Sequence, residues 1–244
     1  MRIMEGEDDG KDKYFRMGYY HDLKNRINTY HNCCKESEYL LCNVEGISYI
    51  GSSEDTTIMR SMFFSENNWA KEEILHFFKL SEKFYGSQLS QLKHPLIFCD
   101  IGANIGTTSV YVKKKIDPSL HILAFEPIPL TYEMLQINMV LNHIPKSDYI
   151  LADVGVSDHE SEMNMHYNRE NPGGSSLVNE YGEGQNMMVK TTAFDHFIES
   201  RGIDRDSIGY LWIDIEGHGS YIAFVSKFCF ASVRRSYLSD RSLG

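Results

Sequence analysis

The sequence predicts an α/β protein, with a mostly parallel sheet covered by helices on both faces. Three observations point there. From Leu96 onward, short apolar runs alternate with helix-like stretches. The runs end near acidic residues: Asp100, Glu126, Asp153 or Asp158, and Asp214. The first run passes directly into the glycine turn Gly102-Ala-Asn-Ile-Gly106, with a helix start at Thr107.

Taken in order, residues 1 to about 30 are polar and aromatic without clear periodicity. Tyr39 to Ile50 reads as two short strands around the Glu45-Gly46 turn. Trp69 to Phe84 reads as a helix with Trp69, Ile74, Phe77, Phe78 and Leu80 or Phe84 on its apolar stripe. The three aromatic residues Trp69, Phe77 and Phe78 read first as core packing and second as a substrate platform. Residues 1–68 are therefore taken as an extension or cap, and 69–244 as the main domain.

Within that domain, Leu96 to Asp100 is the first core strand and His121 to Glu126 the second. Leu130 to Leu141 is a helix whose face is Leu130, Met134, Ile137 and Leu141. Tyr149 to Val156 is the third core strand. Met163 to Tyr167 suits an extra antiparallel strand, and Met187 to Thr192 a further short one. Between them, Asn171-Pro-Gly-Gly-Ser-Ser176 can close over a substrate or serve only as a connector. Phe194 to Arg201 is a helix, and Ile208 to Asp214 the fourth core strand.

Composition narrows the function. The net charge is −10, with 34 acidic against 24 basic residues. That argues against nucleic acid and anionic membranes as general partners. No apolar run approaches the ~20 residues of a membrane span, and the first ten residues lack a signal-peptide core. Five cysteines without C-x-x-C spacing read as reduced thiols. The expected location is the cytoplasm. The oligomeric state is not legible.

The turn itself discriminates among ligands. It reads Asp-x-Gly-x-x-x-Gly, not Gly-x-Gly-x-x-Gly, and no Gly-Lys-Ser/Thr follows it. The carboxylate of Asp100 before the turn repels an anion and favours a sulfonium or ammonium. Glu126, at the next strand end, can accept hydrogen bonds from a ribose diol. These features suit S-adenosylmethionine better than NAD or ATP.

Several motifs then come in a telling order: Asp100-Ile-Gly-Ala-Asn-Ile-Gly106, Phe125-Glu-Pro127 with Asn138 and Asn142 downstream, Val156-Ser-Asp158, Ser175-Ser176, Val189-Lys-Thr-Thr192 and Trp212-Ile-Asp-Ile-Glu-Gly-His218. Over about residues 70 to 220 this resembles the FkbM family of S-adenosylmethionine-dependent methyltransferases. The resemblance implies a Rossmann-like methyltransferase fold and O-methylation of a sugar or small metabolite, so a small-molecule or glycan acceptor. By position it implies that Asp100, Gly102, Asn104 and Gly106 line the methionine end of the cofactor. Glu126 would bind the ribose, Pro127 shape the turn beneath it, and Ser157 or Asp158 lie by the adenine.

Asp214, Glu216 and His218 are the substrate-side candidates. Methyl transfer to a hydroxyl needs alignment and a base, and any of the three can serve or orient. Two carboxylates and a histidine could also hold a divalent metal, but nothing else fixes a coordination set, so no metal site is assigned. The other reading is a non-catalytic module with a methyltransferase fold. An NAD-dependent oxidoreductase is disfavoured by the glycine spacing.

The pattern departs from the family at Gly219, where an acidic residue is usual, and at the end of the chain. Ser232 to Gly244 is rich in serine and arginine and lacks the apolar run of a buried fifth strand. The expectation is a sequence divergent or truncated from about residue 219, with a helix from Tyr221 to about Phe228, at most one further strand, and an incomplete set of C-terminal strands.

Overall fold

The computed structural model describes residues 24–168, 170–175, 185–215 and, as backbone alone, 230–233. A first helix, α1, covers 24–36. The hairpin β1 (Tyr39–Val44) and β2 (Ile47–Ser52) follows, then α2 (Ile58–Ser65) and α3 (Lys71–Leu89). The central part runs β3 (Ile97–Ile101), α4 (Thr107–Tyr111, widening into a π-type turn at Val112–Ile116), β4 (His121–Phe125), α5 (Pro129–Leu141) and β5 (Tyr149–Ala152). Then come β6 (Gly155–Ser157), β7 (Ser161–Tyr167), β8 (Gln185–Ala193), α6 (Phe194–Ser200), β9 (Ile208–Ile213) and β10 (Phe230–Val233).

Five strands form one parallel sheet in the order β10-β9-β3-β4-β5. Successive side chains of a strand point to opposite faces, and this parity divides the core. Phe98, Ile122, Ala124 and Trp212 pack on the face shared with α3, α4 and α5. Cys99, Ile101, Leu123, Phe125, Leu211 and Ile213 pack on the other, against Phe194, Phe197 and Ile198 of α6. Both faces are covered, as continuous apolar strands require. Phe77 meets Phe98, Tyr210 and Trp212 edge-on, and Phe78 stacks on Phe98, so both are core residues.

The hairpin turn uses Glu45 at φ 54° and Gly46 at φ 80°. It docks on α5 through two asparagines. Asn138 accepts from the N–H of Ile50 and donates to its carbonyl, at 2.7 and 3.0 Å. Asn142 does the same to Ser48, at 3.0 and 2.8 Å. One helical turn apart, the two amides pair with alternate residues of β2 as a neighbouring strand would. Tyr30, Val44, Ile47, Tyr49, Met59 and Met62 consequently share one core with Phe98, Val110 and Met134.

Three expected elements change. The run Tyr149 to Val156 is two strands: β5 ends at Ala152, and β6 leaves for a second sheet, ordered β6-β8-β7. An unbroken apolar run conceals such a switch, because both pieces are buried. In α5 the buried face is Thr131, Met134, Leu135, Asn138 and Met139, whereas Ile137, Val140 and Leu141 are exposed. The two asparagines rotate the helix, because their bonds to β2 must be made inside. In α3 the helix continues to Leu89, and Phe84 points to solvent.

At the C-terminal side, β10 supplies a fifth parallel strand, paired Phe230 to Tyr210 through Val233 to Ile213. It starts two residues before the serine- and arginine-rich stretch. Four residues paired along one side need no long apolar run. The helix expected at Tyr221 to Phe228 lies outside the described residues.

Candidate active site

The site forms where the parallel strands end, as in open α/β sheets generally. A cavity of about 260 Å³ opens over the carboxyl ends of β3, β4 and β9. Its floor is Gly102, Ala103 and Asn104 after β3, Glu126, Pro127 and Ile128 after β4, and Asp214 and Ile215 after β9. Gly155 and Val156 close one end, and Thr107 and Thr108 of α4 reach it from below.

Glu126 is the best-held polar group. One carboxylate oxygen accepts from the backbone N–H of Asn104 and the other from that of Ile128, both at 2.9 Å. The side chain is 4% exposed. Each oxygen keeps a lone pair for a further donor. Burial pushes this carboxyl up to about 7, against the pull of the two N–H bonds and with help from the charge of Asp100.

Gly102 and Gly106 serve different purposes. Gly102 has φ 84°, and a Cβ there would overlap the carbonyl oxygen of Asp214. Its N–H and that of Ala103 both donate to the Phe125 carbonyl, at 3.1 and 2.9 Å. The turn is thus wedged between β4 and the residue after β9. Gly106, at φ 85°, is not on the cavity wall; a Cβ would stand 2.5 Å from Leu135 Cδ1. It permits α4 to approach α5.

Asp100 also lies off the wall. It shares the parity of Phe98, so it faces the underside of α4, where the Ser109 hydroxyl donates to it at 2.5 Å. It is 1% exposed, and burial pushes its carboxyl up to about 7, with Asp214 adding repulsion. Asn104 is on the wall at φ 51°, its side-chain oxygen accepting from the N–H of Ile105. Ser157 and Asp158 stand away from the cavity: Ser157 is buried and donates to Asp158, whose exposed carboxylate pairs with His159 at 2.5 Å. Gly155 and Val156, two residues earlier, line the cavity instead, and β6 then carries the chain into the second sheet. Asp214 is on the wall, with its N–H bonded to Ile101. Glu216 and His218 lie outside the described residues.

The residues that sequence reading missed come from the N-terminal segment. Asp55 accepts from the N–H groups of Thr57, Ile58 and Met59, at 2.8, 2.8 and 3.3 Å, and so starts α2. This holds Thr57 and Ile58 on the cavity. The N–H and hydroxyl of Thr56 both donate to the Glu170 carbonyl, at 2.9 and 3.0 Å. That bond brings Asn171 to Ser175 over the site, where all five residues line it. Trp69 completes the wall. Asp55-Thr-Thr-Ile58 carries a helix-cap signal, but nothing local connects it to the cavity.

Among the described residues the wall carries two carboxylates and no lysine, arginine or histidine. Residues 100–220 match the family model described as the methyltransferase FkbM domain. The chain carries an FkbM methyltransferase domain. Methyltransferase sdnD of Sordaria araneosa is 38% identical over 103 residues, 40% of this chain and 39% of that protein. Methyltransferase 1 of Beauveria bassiana (strain ARSEF 2860) is 32% identical over 97 residues, 40% of this chain and 36% of that protein. The matched segment thus spans about two fifths of these curated relatives. A solved structure, methyltransferase FkbM from Methylobacillus flagellatus KT, is 12% identical with a TM-score of 0.36, covering 83% of this chain and 44% of that one.

Proposed function

We propose that this FkbM domain binds S-adenosylmethionine and methylates a hydroxyl of a small molecule or glycan. The observation that carries the reading is Glu126. Its two oxygens are oriented by backbone N–H groups, and it lines the cavity beside a glycine turn, with no lysine, arginine or histidine among the described residues of the wall. A vicinal diol needs two acceptors held in this way.

The strand order supports one direction for the ligand. Glu126 follows β4; β5, from which the chain runs on into β6, lies on one side of it, and β3 and β9 on the other. Gly155 and Val156 then make an apolar end for the adenine, and Gly102, Thr107 and Asp214 make the methionine end. When bound, S-adenosylmethionine supplies a methyl group on a positively charged sulfur. Asp214 holds a negative charge at that end, accepts a hydrogen bond from the acceptor hydroxyl and takes its proton. Glu216 and His218, which follow it in sequence, are assigned to the same role. Asp100 acts from behind the turn, fixing Ser109 and thereby the first turn of α4.

No helix of the described residues is long and apolar enough to cross a membrane. Among the described residues Cys33, Cys34, Cys42 and Cys99 form no disulfide, which fits a reducing compartment such as the cytoplasm.

Calorimetry with S-adenosylmethionine, S-adenosylhomocysteine and NAD tests the binding, and a labelled-methyl screen over sugars and small hydroxylated metabolites tests the transfer. Binding of the two adenosyl ligands without NAD supports the reading. Binding of NAD alone contradicts it. Cofactor binding with no transfer to any acceptor favours a binding module.

A further inference from the structure

Trp69 and Phe125 are the aromatic side chains on the cavity wall among the described residues, and Trp69 comes from the N-terminal segment, outside the strands of the sheet. Its position is built. The residue before it, Asn68, is 4% exposed and donates from its amide to the carbonyls of Trp69 and Thr107, at 2.8 and 3.4 Å. Tyr49, also buried, donates to the Asn68 side-chain oxygen at 2.5 Å and lies 3.3 Å from the same Thr107 carbonyl. The residue after it, Ala70, adopts φ 54° and turns the chain into α3. Trp69 is thus held beside Thr107 at the start of α4, the side that the reading above gives to the methionine end.

The chemistry of that end is one-sided. Asp214 is on the wall and Asp100 is buried behind the turn, while the described wall has no basic side chain. An indole face adds a further partial negative charge. Tryptophan is the strongest aromatic partner for a cation.

We propose that Trp69 is a specificity-determining residue that holds the sulfonium of the cofactor by a cation–π contact. The site thereby distinguishes the charged methyl donor from its neutral thioether product. This rests on the S-adenosylmethionine reading above. The contact exists only while the sulfur is charged. Transfer breaks the bond from methyl carbon to sulfur and forms one from that carbon to the acceptor oxygen. The bonding pair stays on sulfur, which becomes neutral, and the hydroxyl proton leaves to a base. The product then loses the attraction and is released more readily.

The test is the ratio of two dissociation constants measured on one protein preparation, for S-adenosylmethionine and for S-adenosylhomocysteine. Because both constants share the same folded fraction, the ratio is insensitive to partial misfolding of a variant. In Trp69→Leu the affinity for the sulfonium is expected to fall about tenfold and that for the thioether less than about twofold. Trp69→Phe, which keeps a weaker aromatic face, is expected to fall between. Equal losses for both ligands, or an unchanged ratio in Trp69→Leu, would overturn the inference and leave the cofactor reading standing. If the unsubstituted protein binds neither ligand, the cofactor reading fails and the inference falls with it.

Discussion

The ends of β3 and β4 carry the two sequence motifs of the site, and they do different work. After β4, Glu126 faces the cavity with both oxygens oriented by backbone N–H groups. After β3, Asp100 faces away, toward Ser109, and Gly106 packs against Leu135. Of that longer motif, Ile101 to Asn104 reach the cavity. The difference teaches that a motif residue can be required for two reasons. Some touch the ligand, and some build the turn that lets others touch it. Parity along the strand, read from Phe98, decides which group Asp100 joins.

The largest effect is expected at β4. Glu126→Gln should weaken cofactor binding by on the order of 100-fold, because two charge-assisted hydrogen bonds are worth about 1.5 kcal/mol each. Calorimetry at pH 7.5 measures it. Gly106→Ala should break the comparison from the other side. The side chain is strained at φ 85° and crowds Leu135, so stability should fall by about 1–3 kcal/mol. Affinity of the folded fraction should change less than about twofold, a split that denaturant titration and calorimetry together resolve.

Asp100→Asn should have a smaller effect on affinity, about threefold, since the charge acts from behind the turn. Its effect on stability has a definite sign. The carboxyl of Asp100 is raised to about 7 by burial. The stability allowed by the neutral acid is full below about pH 4 and is lost as pH rises through about 7. Glu126 contributes in the same direction. Asp100→Asn should therefore gain stability relative to the unsubstituted protein between pH 5 and 8, and melting curves across that range should converge toward pH 4.

The smallest expected signal is protonic. A cationic ligand with a diol favours both ionised carboxyls, lowers their pKa values and releases a fraction of a proton near pH 7. Binding heats measured in buffers of different ionisation enthalpy should differ accordingly.

Much of the frame was readable from residues alone. Buried parallel strands need apolar runs, so β3, β4 and β9 announced themselves, and Glu126 stood at a strand end in register with a glycine turn. The failures have physical causes. Asn138 and Asn142 are polar residues buried by pairing with β2, so hydropathy placed the wrong face of α5 inside. The switch from β5 to β6 lay within one apolar run, and after it Gly155 and Val156 line the cavity while Ser157 and Asp158 do not. Trp69, Thr57 and Ile58 reach the cavity only through long-range packing and the bond from Thr56 to Glu170. No local pattern encodes such contacts.

The account depends on Glu126 receiving the ribose hydroxyls of an adenosyl ligand. A double-mutant cycle measures this directly. S-adenosylhomocysteine and its 2′,3′-dideoxy analogue are titrated into the unsubstituted protein and into Glu126→Gln. The account predicts a loss on the order of 100-fold on Glu126→Gln for the diol ligand and almost none for the dideoxy analogue. Equal losses for both ligands would contradict it.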